Sequence, residues 1–270
     1  EFVDLIRQYD TWEWDENNNV TAKRLNDLFY ILNREQFEEN MLKRLRESPD
    51  SFSLSDTEDF LLDVEENKIE RYIRSKNKQI IQTFTDDYCV GIVHAEQYLS
   101  ELGNALNKLN PHLDMIILLN AGGKKVGFRT IHDHVDVSEF ASRFGGGGHP
   151  KASGCELSQE VFEKFVVDVF QLAPLRPDPE KNEFNVKGAP YGTCYENSKG
   201  DISYIRPLAN GKFEVIHNGK IADETCDSFE QAENYIKRYY ASWLRFDKDF
   251  LYHLSKALPM TVEELKATFP

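Results

Sequence analysis

The stretch Phe144-Gly145-Gly146-Gly147-Gly148-His149-Pro150-Lys151-Ala152-Ser153-Gly154 holds the residues best able to do chemistry in this chain. Four consecutive glycines are poor material for a helix or strand, because glycine loses more backbone entropy on folding than any other residue. Bare backbone can instead approach an anion closely, and successive N–H groups turned inward form a nest for it. His149 would stand at the rim as a ring donor and Lys151 as a charge. Taken alone, the run also fits a flexible loop with an incidental histidine, so its neighbours decide. Arg129 ends the strand-like Val126-Gly127-Phe128, where a guanidinium could fork onto phosphate oxygens, and Thr130 follows it. From Ala121 to Cys155 there are five Lys or Arg against three acids, together with His132, His134 and His149. Ile131-His132-Asp133-His134 has an H-x-H spacing that can ligate a metal on a strand, but it sits inside this same basic patch. His94, His112, His217 and His253 lack partner spacing and read as packing or surface residues.

These groups need a scaffold to hold them. Tyr88-Cys89-Val90-Gly91-Ile92-Val93 and Met115-Ile116-Ile117-Leu118-Leu119 read as buried strands, with a helix from Glu96 to Leu109 between them. Lys125 to Arg129 follows the Gly122-Gly123 turn as a further strand. A short helix through Val137 to Phe144 and another from Ser158 to Phe170 complete an α/β unit. Upstream, apolar residues recur at helical spacing from Val20 to Arg46 (Leu25, Leu28, Phe29, Leu32, Phe37, Met41, Leu45). Ser55-Asp56-Thr57-Glu58 then has the form of a capping box, and the spacing predicts a long helix over Asp56 to Phe84. Its first part carries seven acids from Asp56 to Glu70 against one Lys, which reads as a solvated face.

Downstream, Ala173 to Pro190 holds four prolines and few apolar groups, the composition of a linker. Ile202 to Ile205, Lys212 to His217 and Lys220 to Thr225 read as an antiparallel meander turned at Asn210-Gly211 and Asn218-Gly219. Helices are expected after Ser228 and Thr261 by the capping-box rule. Tyr235, Tyr239 and Trp243 fall at helical spacing and read first as core, although aromatics can also stack bases.

The 32 Lys and Arg against 46 Asp and Glu give a formal charge of −14 over 270 residues, so diffuse attraction to nucleic acid is excluded and any anion must meet a local site. Cys89, Cys155, Cys194 and Cys226 are widely spaced with no C-x-x-C pair, which argues against a zinc ribbon, a redox motif or a disulfide scaffold. Free thiols and the lack of an apolar span or signal-peptide layout suggest a cytoplasmic protein with no membrane partner. The chain opens on Glu1-Phe2-Val3-Asp4-Leu5-Ile6, already apolar-periodic and without an initiator Met, as though entered in mid-domain.

Val126-Gly127-Phe128-Arg129-Thr130, then Val135-Asp136-Val137-Ser138-Glu139-Phe140-Ala141, then Phe144 through Gly154, resemble the C-terminal DHH-associated domain of nanoRNase-like and RecJ-like phosphoesterases. The motifs are specific over residues 126–154 and fit the α/β order over about 86–171. Thr130 stands where that family more often has Ser. His149 favours the phosphoesterase branch over the alanyl-tRNA synthetase relative, which usually lacks a histidine after its glycine run. Ile6-Arg7-Gln8-Tyr9-Asp10-Thr11-Trp12 is similar to the segment of the catalytic DHH domain in which an Asp ligates metal. The family's earlier metal motifs, including Asp-His-His, do not occur in these residues.

The resemblance implies an α/β protein in five parts: the end of a DHH domain (1–55), a long connecting helix (56–85), an α/β substrate-binding domain with a mixed sheet (86–172), a linker (173–190) and a small α+β C-terminal domain (191–270). It implies that Arg129, Thr130, Gly145, Gly146, Gly147, Gly148, His149, Lys151 and Ser153 bind the substrate's phosphate, and that Asp10 is one ligand of two divalent ions, Mn²⁺ or else Mg²⁺. The expected activity is hydrolysis of short oligonucleotides or cyclic or linear dinucleotides to mononucleotides, with this chain inactive alone. The partners expected are that substrate and an upstream catalytic segment of the same protein, with a homodimer left open. A single-strand exonuclease of RecJ type and a non-catalytic nucleotide-binding module are the other readings.

Overall fold

The computed structural model describes every residue except Trp12, Glu224, Pro259 and Pro270. The chain opens with helices α1 (Phe2–Asp10), α2 (Glu13–Glu16), α3 (Val20–Ile31) and α4 (Arg34–Glu47). The Asn19 and Asn33 side chains cap α3 and α4 by accepting from the Ala22 and Gln36 amides. The apolar stripe read from the sequence buries Leu25, Leu28 and Met41 together with Leu5, Ala22, Phe52 and Leu62. Helix α5 (Asp56–Asn77) starts at the expected capping box: the Ser55 amide donates to Glu58 Oε2 at 2.7 Å, and the Glu58 amide donates to Ser55 Oγ at 3.4 Å.

The helix expected to continue to Phe84 stops at Asn77, and Ile81–Thr85 forms a strand, β1, instead. Helical spacing and the β-branched alternation Ile81, Thr83, Thr85 coexist in this segment, and the partner strand that β1 finds decides between them. The chain makes two compact units, Glu1–Tyr72 and Ile73–Pro270. The segments 86–172 and 191–270 therefore share one body.

The second unit is built on a six-stranded sheet of β1, β2 (Tyr88–His94), β3 (Met115–Asn120), β4 (Lys125–Arg129), β5 (Gly147–His149) and β6 (Ala152–Glu156), in the order β1-β2-β3-β4-β6-β5. Only β2 and β3 are parallel, joined by the crossover helix α6 (Leu99–Leu109), so the sheet is mixed as expected. Alternate residues Val90, Ile92, Met115, Ile117, Leu119, Val126, Phe128 and Cys155 face α7 (Val137–Ser142) and α8 (Gln159–Phe162), whose Val137, Phe140 and Val161 close the core with Phe165. Helix α6 lies on the other face, where Gly103 meets Leu118 and Arg129. Helix α7 ends at Ser142 rather than Phe144, and the helix expected to reach Phe170 becomes a π-helical turn at Glu163–Val167.

Residues 173–190 form no regular element, yet they are strapped down rather than free as a linker would be. The Leu175 amide donates to Ile80 O, the Asp178 carboxylate accepts from Leu244 N and pairs with Lys187 and Lys237, and the buried Asn185 bridges Cys194 and Arg245. The five-stranded sheet that follows, β10-β9-β8-β7-β11, comprises β7 (Thr193–Glu196), β8 (Ile202–Pro207), β9 (Phe213–His217), β10 (Lys220–Ile221) and β11 (Trp243–Leu244). Asn218 and Gly219 both take positive φ in the β9–β10 hairpin, as an Asn-Gly turn of this kind requires. The strand read as Lys220 to Thr225 is shorter, and Glu224 lies outside the described residues. Helices α9 (Phe229–Tyr240), α10 (Asp247–Ala257) and α11 (Val262–Lys266) complete the unit, with α9 and α11 at the expected caps. Among the described residues no helix is long and apolar enough to cross a membrane.

Candidate functional site

Three strands meet in one register. Ala152 of β6 pairs with Arg129 of β4 on one side and with His149 of β5 on the other. Residues directly opposite in a sheet point to the same face, so Arg129 and His149 share a face across two interstrand spacings, about 10 Å. The row behind them is Gly127, Gly154 and Gly147. The floor between a guanidinium and an imidazole is thus backbone and one methyl group, while the alternate residues Phe128 and Ser153 turn to the core side.

The Arg129 stem runs over α6 at Gly103, where a Cβ would lie 2.5 Å from its Cγ. Asn107, buried on the next turn of α6, donates from Nδ2 to Arg129 O at 3.0 Å and so fixes the strand end. The guanidinium lies back over the glycine floor, with Nη1 donating to Phe128 O at 3.0 Å and Ser153 O at 3.3 Å. Burial without a carboxylate partner pushes it below the ordinary arginine value, and it keeps its charge at any physiological pH. By contrast, Arg24, Arg44, Arg143, Arg206, Arg238 and Arg245 all meet carboxylates. Arg129 Nε and Nη2 have no hydrogen-bond partner among the described residues, and they remain as donors for an anion.

The glycine run works differently from the inward nest read from the sequence. The Gly145 amide donates to Ser142 O and the Gly146 amide to Ala141 O, so both are spent closing α7, with Gly145 at φ +70°. Gly146 passes so close to β6 that a Cβ would sit 2.1 Å from Gly154 O. Gly147 and Gly148 belong to β5, an edge strand. The glycines serve as close-packed wall and floor, and the outward amides of an edge strand remain available.

Two hydroxyls fall out of the cradle. Thr130 is buried, and its Oγ1 donates to Asp114 O at 2.7 Å and accepts from the His132 amide. Ser153 Oγ donates to Val137 O on the opposite face. Lys151 sits on the β5–β6 turn and pairs with the exposed Asp133 at 2.8 Å, at the cradle's end rather than over its floor. The His132 and His134 rings stand 5.3 Å apart, but His132 Nε2 donates to Leu113 O at 2.9 Å and His134 approaches Asp114, so they do not form a metal pair.

In the first unit, Asp10 ends α1 with an exposed side chain, and Trp12 of its motif lies outside the described residues. Among the described residues no group of three or more His, Cys, Asp or Glu converges as metal ligands would. The residues present therefore do not by themselves fit a two-metal centre.

Residues that sequence reasoning missed are Gly103 and Asn107, which set the path of Arg129, and Gly127 and Gly154, which make the floor. The signal for the floor was a glycine two residues from each member of the front row: Gly127-x-Arg129, Gly147-x-His149 and Ala152-x-Gly154.

Residues 86–173 match the family model of the DHHA1 domain, and residues 192–264 match that of the oligoribonuclease NrnB C-terminal domain. Oligoribonuclease NrnB of Bacillus subtilis (strain 168) is 49% identical over 266 residues, 98% of this chain and 66% of that protein. The chain thus spans about two thirds of the length of that relative. Among solved structures, an uncharacterised protein from Helicobacter pylori G27 is similar at 20% identity over 55% of this chain and 44% of its own, with a TM-score of 0.28. The pGpG-specific phosphodiesterase PggH from Vibrio cholerae is similar at 15% identity over 36% of each chain, with a TM-score of 0.26.

Proposed function

Because the chain belongs to the DHH family of phosphoesterases, carrying its DHHA1 domain and an NrnB-type C-terminal domain, we propose that it is the substrate-holding part of a phosphodiesterase that cleaves short oligonucleotides to mononucleotides. The observation that carries this reading is the shared row of Arg129 and His149 over a glycine floor, with a half-buried guanidinium that meets no carboxylate among the described residues. A phosphate seated there accepts from Arg129 Nε and Nη2 and from the His149 ring, and the floor lets it descend onto backbone. Each such preorganised donor is typically worth ~3 kcal/mol in a reaction barrier.

We propose Asp10 as one ligand of an Mn²⁺ or Mg²⁺ pair whose other ligands come from a catalytic segment outside these 270 residues. Such ions would supply Lewis-acid activation of a water at neutral pH, with Asp10 as the one ligand this chain would contribute. The 270 residues alone are then expected to bind a dinucleotide without cleaving it, and Mn²⁺-dependent turnover by this chain would overturn that part.

The test of the cradle is Arg129→Ala and His149→Ala in the full-length enzyme, assayed by hydrolysis of a 5′-phosphorylated dinucleotide. Each is expected to lower kcat/KM about a hundredfold with an unchanged melting temperature. Wild-type kinetics for Arg129→Ala would remove the site.

A further inference from the structure

The cradle lies at one end of the six-stranded sheet, where β1 and β4 end and β2 and β3 begin. Hydrogen bonds run across that end as a continuous line. Phe84 pairs with Cys89, Cys89 N donates to Asp114 Oδ2, Asp114 O accepts from Thr130 Oγ1, and Thr130 N donates to Lys151 O. From Thr130 to Phe84 the line crosses three interstrand spacings, about 14 Å.

At its far end the C-terminal part of the chain adds an aromatic surface. Gln82 Nε2 donates to the Lys237 and Arg238 carbonyls at the end of α9 (3.0 and 2.9 Å). The Arg238 guanidinium straddles the Asp114 carboxylate, with Nη1–Oδ1 and Nη2–Oδ2 both 2.9 Å. These bonds lay Tyr239 against Phe84 with ring centroids 6.3 Å apart and planes 18° from parallel, and Tyr235 stands 4.8 Å from Tyr239. Arg238 lies 5.7 Å above the Phe84 ring and 6.0 Å from Tyr239.

Rings recruited only to fasten α9 to the sheet would be buried by that contact. Phe84 is instead 48% exposed and Tyr239 57% exposed. We propose that Phe84 and Tyr239, flanked by Arg238 and Tyr235, form a base-stacking platform for a single-stranded oligonucleotide whose phosphate occupies the Arg129–His149 cradle. The platform makes the site one for strands longer than a dinucleotide. This rests on the cradle reading, since the cradle sets where the strand begins.

The span fits. At ~3.4 Å per stacked nucleotide, about 14 Å is four nucleotides, and fewer when the strand is drawn out. The exposed His134 ring lies beside Asp114, a member of that line. The grip at the platform is by ring faces rather than charge, because Asp86 and Asp87 flank Phe84, with Asp86 held by Arg143. Stacking of this kind tolerates any base and suits a chain of net charge −14, on which diffuse attraction to a strand is disfavoured.

The test is fluorescence anisotropy of this 270-residue chain with 5′-phosphorylated, 3′-labelled oligonucleotides of two and seven residues in the absence of divalent metal. The ratio of heptamer to dinucleotide affinity is the readout. It is expected to exceed ten in the wild type, to fall about tenfold in Tyr239→Ala and in Phe84→Ala, and to recover in Tyr239→Trp, which restores a larger stacking face. Arg129→Ala is expected to weaken both lengths together. A wild-type ratio near one, or a ratio that Tyr239→Ala and Phe84→Ala leave intact, overturns the platform. If Arg129→Ala leaves both affinities unchanged, the cradle falls instead, so the two failures are distinct.

Discussion

Gly103→Ala perturbs the cradle without touching it. In the interior of a helix such as α6, alanine is ordinarily favoured over glycine by about 1 kcal/mol. Here the new methyl carbon would lie 2.5 Å from Arg129 Cγ, 3.0 Å from its Cβ and 3.3 Å from Leu118 Cδ1. Ordinary contact begins at 3.4 Å against the 2.5 Å available, a displacement of about 0.9 Å at Cγ. That carbon is the root of the side chain, anchored by a strand on one side and by the Nη1 bonds to Phe128 O and Ser153 O on the other. An off-rotamer stem costs ~0.5–1.5 kcal/mol, and each of those bonds contributes about 1 kcal/mol. These costs exceed the helix gain, and stability is expected to fall by about 1.5–2.5 kcal/mol.

Function should change more. A charge-assisted hydrogen bond contributes ~1.5–3 kcal/mol, so swinging the guanidinium off the floor is expected to weaken dinucleotide binding tenfold or more. A double-mutant cycle separates the two effects. In an Arg129→Ala background the 2.5 Å contact with Cγ is gone while the tighter-than-ordinary contacts with Cβ and Leu118 Cδ1 remain, so Gly103→Ala should cost less stability there than in the wild type and leave affinity where Arg129→Ala set it. Urea unfolding and anisotropy give both quantities. If Gly103→Ala is stabilising and binds as the wild type does, Arg129 does not depend on the path drawn for it.

Burial, and secondarily the neighbouring Lys237 charge, lowers the His112 pKa from 6.5 to about 3. The unfolded chain therefore takes up a proton that the native state refuses, so this contribution to stability is complete above about pH 6.5 and lost as pH falls toward 3, by at most about 1.4 kcal/mol per pH unit. The urea midpoint should drop less between pH 7 and pH 5 in His112→Gln than in the wild type, and equal drops would refute the assignment. Ser153→Ala should cost about 1 kcal/mol through the bond to Val137 O while oligonucleotide affinity holds. A loss of affinity would return that hydroxyl to the cradle.

The order of strands and helices around the site was legible because each element is patterned locally. Buried runs such as Met115 to Leu119 and the caps at Ser55, Ser228 and Thr261 follow from side-chain chemistry within a few residues. What the letters could not supply was register. Ser153 and Ala152 are neighbours in sequence, yet β6 lies between β4 and β5, and that long-range pairing decides which faces the ligand side. Thr130 follows the critical arginine, but one residue past the strand its hydroxyl is taken by Asp114 O. The segment after Asn77 carried two periodicities, and only the presence of β2 chose the strand. Tyr235, Tyr239 and Trp243 kept helical spacing beyond the helix itself. Ala241 at φ +47° ends α9, so Trp243 is buried in β11 while Tyr235 and Tyr239 stay exposed.

Charge bookkeeping explains why a chain so acidic can hold an anion at all. A net charge of −14 disfavours phosphate approach in general, so a useful site needs a cation that the chain's own carboxylates do not neutralise. Arg238, about three strands from the cradle's far wall, is given to Asp114 and locks α9 in place. Among the described residues Arg129 meets no such partner, and its neighbours on the open face are Gly127, Gly154, Gly147 and Ala152. A side chain longer than alanine at any of these positions would fill the space a phosphate needs, and an acid there would quench the guanidinium. The glycine-rich composition and the unpaired arginine are therefore one requirement seen twice: the floor must be bare for the charge to be free.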